Sequence, residues 1–107
     1  MSTGDNTLMK HMMEMTMSTI QETLDQRNNT HGDYVMQCDE TQRMKFMFKQ
    51  MHTYEMMPNY MREALDMLAV KLGRISAGDM RFADSWHDIA GYATLVEQTI
   101  LKETGKL

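Results

Sequence analysis

Apolar residues recur along most of this chain at steps of three and four, the spacing of one helical face. From Leu8 the positions Met9, Met13, Met17, Ile20 and Leu24 form a first stripe. Ser18 with Gln21 and Thr19 with Glu22 each match a capping box, so a start near Ser18 is a second option for this helix. The polar run Asn28-Asn29-Thr30-His31-Gly32-Asp33 reads as a break. A second helix is expected from about Asp39 to Tyr54, with Met44, Phe48 and Met51 on one face and Met47 beside it. Pro58 suits the first turn of a third helix. There Met61, Leu65, Leu68, Leu72 and Ile75 make the cleanest amphipathic stripe in the sequence, ended by Gly78. A fourth helix is expected to open at Asp84 or Ser85 and to carry Trp86, Ile89, Ala93, Val96 and Ile100 inward, with Gly105 past its end. Residues 1–7 are polar and expected to be disordered. Four helices and short loops imply one all-α domain over 1–107, an antiparallel helical bundle.

Composition agrees with helix. The 107 residues include one Pro and six Gly, and Met, Leu, Glu, Gln and Lys outweigh the strand formers. Hydrophobic residues make up 42% and charged ones 24%, an ordinary balance for a globular domain. Fifteen methionines are unusual; Met fills irregular cores and also adaptable contact surfaces. Because the Met-rich first stripe and second helix carry more apolar surface than one small bundle hides, a homodimer or higher homo-oligomer is expected. The formal charge of −4, with no basic tract, argues against nucleic acid as a partner. A single cysteine, Cys38, excludes an intrachain disulfide and a cysteine zinc knuckle. No apolar run reaches the length of a membrane span and no signal pattern opens the chain, so a cytoplasmic protein with no membrane partner is expected.

The chemistry concentrates in 71-KLGRISAGDMRFADSWHDIAGYATL-95. Lys71 and Arg74 stand one turn apart near the end of the third helix. Asp84 and Asp88 stand one turn apart at the start of the fourth, about 40° apart around it, and so share a stripe. Like charges so placed repel unless neutralised. In an antiparallel hairpin the two pairs meet, and Lys71 and Arg74 neutralise the aspartates. Tyr92, a turn further on, would join the network. The other neutraliser is a divalent cation. Magnesium takes oxygen ligands and bridges phosphates. Glu63 and Asp66 on the third helix would complete a set with Asp84 and Asp88, although Glu63 lies opposite its helix's apolar stripe and is expected to face solvent.

A second cluster lies in 27-RNNTHGDY-34. Arg27 is suited to gripping phosphate and His31 to exchanging a proton near neutral pH. The remaining histidines, His11, His52 and His87, form no H-x-x-x-H pair, so a zinc site is not expected. The chain has no Gly-rich phosphate loop and no nucleophile elbow.

The stretch EALDMLAVKLGRISAGDMRFADSWHDIAGYATL, with K-x-x-R before a loop and D-S-x-x-D-I-x-G-Y after it, resembles the C-terminal signature of a family of small proteins of tailed phages and prophages. R-N-N-T-H-G-D-Y resembles that family's N-terminal segment. The family is distantly similar to the all-α nucleoside triphosphate pyrophosphohydrolases of the MazG and dUTPase-like group. Those bind magnesium through E-E-x-x-E and E-x-x-D motifs and act as dimers or tetramers. Here E-A-L-D at 63–66 and D-S-W-H-D at 84–88 stand in roughly those places, without the double Glu and with Lys71 and Arg74 nearby. The resemblance thus implies helical fold and ligand class more than turnover.

Three functions follow as expectations. In the first, a phage protein acting in the host cytoplasm binds a nucleotide or related phosphate ligand through Arg27, His31, Lys71, Arg74, Asp84, Asp88 and Tyr92, needs no cofactor, and withdraws a host-defence signal. In the second, it is a magnesium-dependent pyrophosphohydrolase with Glu63, Asp66, Asp84 and Asp88 as metal ligands. In the third, it is an interaction module whose partner is a host protein or its own copies.

Overall fold

A computed structural model describes residues 3–106, with side chains described for 7–13 and 19–106. All regular structure among the described residues is helical. Helix α1 spans Thr3–His31, α2 Tyr34–Lys49, α3 Asn59–Ala77 and α4 Ala83–Glu103. A single 3-10 turn, Tyr54–Met56, links α2 to α3.

The helix boundaries differ from the sequence reading, for local reasons. The expected break at 28–33 shrinks to Gly32-Asp33. Helix α1 continues through Ser18 and the asparagines, and Gly32 closes it with φ +79, donating its N–H to the Asn28 carbonyl at 2.9 Å. Asp33 then caps α2, which starts five residues ahead of the expectation, its carboxylate accepting from the Met36 N–H at 3.1 Å. Pro58 sits just outside α3 and not in its first turn. Neither Asp84 nor Ser85 caps α4. It begins at Ala83 behind Phe82, and Ser85 is turned inward, 3% exposed.

Helices α3 and α4 form an antiparallel hairpin. The Tyr60 hydroxyl donates to Glu103 Oε2 at 2.8 Å, and Lys71 Nζ lies 2.8 Å from Asp88 Oδ2. Moving up α3 therefore moves the contact down α4. On its other side α3 meets α2 at a close crossing: a side chain at Gly73 would overlap Thr41 Oγ1. Helix α3 thus lies between α2 and α4, and its apolar stripe faces the angle between them.

That stripe is not sealed. Met61, Leu65, Leu68, Leu72 and Ile75 are all only half-buried. Ala64 and Ala69 are the only buried hydrophobic residues among those described. Trp86, Leu95 and Ile100 of α4 are exposed, as are Phe46 and Met47 of α2. Every described side chain of α1 from Thr7 to Asn29 is exposed, Met9, Met13, Ile20 and Leu24 included. The molecule measures 70 × 30 × 25 Å, with a radius of gyration of 20.5 Å. A compact chain of this length has one of about 13 Å.

Helix α1 joins the body at its C-terminal end. The Asp79 N–H donates to the Thr30 carbonyl at 2.9 Å. A Cβ at Gly32 would strike the Ala77 carbonyl, and one at Gly78 would strike the His31 carbonyl carbon. Two glycines facing each other let the backbones touch. The same contact brings 27-RNNTHGDY-34 against the end of 71-KLGRISAGD-79.

Candidate functional site

At this junction a hollow of about 450 Å³ opens, lined by Arg27, Asn28 and His31 from α1, by Tyr34 and Gln37 from α2 and by Arg74 from α3, with Leu24 and Asp25 at its edge. Its volume falls in the range of small-ligand sites. Nε of Arg74 and Nδ1 of His31 are buried without a hydrogen-bond partner. Both atoms are closed off from solvent, and the Thr30 backbone lies near enough to the His31 ring to favour its charged form. The His31 ring is held from the side by Phe82, edge to face at 5.9 Å between centroids.

The electrostatics of the hollow are cationic. The His31 pKa is lowered from 6.5, first by burial and then by the positive charges of Arg74, Arg27 and Lys71, against an opposing effect of the Thr30 backbone, which raises it. An arriving anion relieves that repulsion. The carboxylate of Asp25 is the counterweight at the edge, and it accepts a hydrogen bond from Gln21 at 2.9 Å.

Lys71 and Arg74 have separate roles. One turn apart on α3, they project about 60° apart around the helix axis. Lys71 reaches α4 and pairs with Asp88; their side chains are 13% and 31% exposed. The Asp88 pKa is lowered from 3.8, chiefly by the hydrogen bond from Lys71, against an opposing effect of burial, with smaller help from His87 and Arg74. Arg74 instead lines the α1 junction.

The other expected site residues lie apart from the hollow. Asp84 is exposed in the first turn of α4 and takes no part in the ion pair. Tyr92 lines two open surface depressions, one of about 640 Å³ shared with His87 and Asp88 and one of about 240 Å³ shared with Tyr60 and Glu63. The proposed magnesium ligands Glu63, Asp66, Asp84 and Asp88 do not converge. Among the described residues no three His, Cys, Asp or Glu are placed to hold a metal ion. The reason is geometric: Asp88 is engaged by Lys71, and Glu63 is exposed on α3.

Asn28 and Gln37 were not singled out from sequence, Asn28 standing next to Arg27 and Gln37 six residues beyond His31. His11 and His52 are exposed, and Cys38 is a half-buried free thiol. Among the described residues no helix is long and apolar enough to cross a membrane. Comparison with protein-family models, with curated proteins and with solved structures finds no match to the chain.

Proposed function

We propose that this protein binds a small phosphate-bearing ligand of nucleotide type in the hollow between α1, α2 and α3. The observation that carries the reading is the convergence of Arg27, His31 and Arg74 on one cavity. Guanidinium groups fit phosphate oxygens in pairs, and a low-dielectric wall strengthens each contact. Asn28, Gln37 and Tyr34 supply neutral polar groups suited to a sugar or a base edge. Lys71 and Asp88 act as a strut that fixes α3 against α4 and leaves Arg74 to the ligand.

Binding is favoured over turnover because the aspartate nearest the basic pair is already engaged by Lys71. A ligand held without chemistry is withdrawn from solution. With the resemblance to phage proteins, this supports sequestration of a nucleotide signal of host defence. The test is a thermal-shift screen of nucleotides with EDTA or with magnesium. Stabilisation without metal, lost in Arg74→Ala, is expected. Magnesium-dependent release of pyrophosphate would favour the hydrolase reading instead.

A second observation favours self-association. The chain exposes 8345 Å² of surface, whereas a compact monomer of 12.5 kDa exposes about 6,200 Å². We infer that it works as a homo-oligomer, probed by sedimentation equilibrium at micromolar concentration.

A further inference from the structure

We propose that the open groove over α3 is filled by α1 of a second copy, so that two chains exchange their first helices. The inference rests on the homo-oligomer reading above and names the surfaces involved.

The groove has α3 as its floor and the neighbouring elements as its walls. Leu65 and Leu68 line the floor, Met51 and Met57 stand on the α2 side, and Ala93 and Val96 on the α4 side. It encloses about 310 Å³ and is almost wholly apolar. A concave face of this kind does not close on a second copy of itself, because two hollows meeting leave a void. It takes a convex apolar ridge, as amphipathic helices enter grooves elsewhere.

Among the described residues, α1 presents such a ridge to solvent. Met9, Met13, Ile20 and Leu24 share a face of α1, and the exposure of each is above half. The α3 floor of the groove, Met61 to Leu68, spans about 10 Å at 1.5 Å per residue, the length of two turns of an incoming helix.

The areas also agree. The surplus exposed surface is roughly 2,000 Å² per chain, and a standard interface takes about 800 Å² from each partner. A reciprocal exchange uses two such contacts, each chain giving its helix once and its groove once. With α2, α3 and α4, the incoming α1 makes four helices around one core, and the half-buried stripe of α3 becomes its centre. Methionine, unbranched and polarisable, is suited to such a seam.

The test uses the full chain with Cys38→Ser and Ile20→Cys, carrying a benzophenone on the new thiol. It is refolded with an equal amount of ¹⁵N-labelled Cys38→Ser chain, irradiated, digested and mapped by mass spectrometry. Sedimentation on the same mixture gives the assembly state. The expected result is a dimer with cross-links from unlabelled Ile20→Cys to labelled peptides of α3 and α4 that line the groove. A dimer whose cross-links reach the partner's α1, or only its own chain, overturns the exchange while leaving the homo-oligomer intact. A monomer ends both. Ile20→Asp supplies a second readout: a carboxylate in the apolar groove weakens the dimer by about 100-fold or more, and an unchanged dimer contradicts the seat.

Discussion

Lys71 holds Asp88 across the α3–α4 hairpin at 2.8 Å, while Arg74, a turn further along the same helix, lines the cavity that contains His31. Two cations that look equivalent in sequence are thereby divided between a structural tie and a binding surface. Asp88→Asn should lower the melting midpoint by a few degrees, because the largely covered Lys71 ammonium loses its partner. The same variant should bind ligand as the parent does. Differential scanning fluorimetry with and without nucleotide reads both effects.

That tie also sets an acid limit. The Asp88 pKa is lowered from 3.8 in the fold, so its ionised form favours the native state. The contribution is complete above 3.8 and is lost as pH falls through the lowered native value. Urea titrations of the parent below about pH 4 should show this loss, and Asp88→Asn should lack it.

His31 acts in the same direction at higher pH. Its pKa is lowered from 6.5, so the unfolded chain takes up a proton before the native one does. Stability should be full above 6.5 and should fall as pH drops toward the native value, and His31→Gln should flatten that slope. Anion binding should raise the His31 pKa toward its ordinary value. Imidazole chemical shifts, followed by NMR across pH with and without inorganic phosphate, measure the change.

Two helical glycines should respond oppositely to alanine. At Gly91 a Cβ meets nothing within 4 Å, so Gly91→Ala should stabilise by about 0.5–1 kcal/mol through helix propensity. At Gly73 a Cβ overlaps Thr41 Oγ1 where α2 crosses α3. Overpacking there costs about 1–3 kcal/mol, which outweighs the propensity gain, so Gly73→Ala should destabilise. Chemical denaturation of the two variants side by side decides it.

Much of this was legible in the residues. The all-helical character, the terminator at Gly78 and the Lys71–Asp88 meeting follow from spacing and the short loop alone, whereas Trp86, Ala93 and Ile100, expected inward on α4, are exposed. The Asn-Asn pair misled because its turn preference is weak beside a helix already running, and Gly32 with its positive φ ends the helix three residues later. The division between Lys71 and Arg74 was not legible. Their angular separation is a property of one helix, but what stands at each angle depends on where α1 ends. That was hidden in the backbone contact of Gly32 with Ala77, which no periodicity encodes. Asp84 was grouped with Asp88 on the same logic, and the pairing of Lys71 with Asp88 leaves it exposed.

The most direct measurement is isothermal titration calorimetry of the full chain with a panel of nucleoside mono- and triphosphates in EDTA, repeated on Arg74→Ala and Asp88→Asn. The cationic cavity predicts metal-independent binding of at least one of them. Arg74→Ala should weaken it roughly 10- to 100-fold, as expected for a charged hydrogen bond of about 1.5–3 kcal/mol, and Asp88→Asn should leave it unchanged. No heat from any nucleotide, or a parent-like affinity in Arg74→Ala, would contradict the cavity as the ligand site.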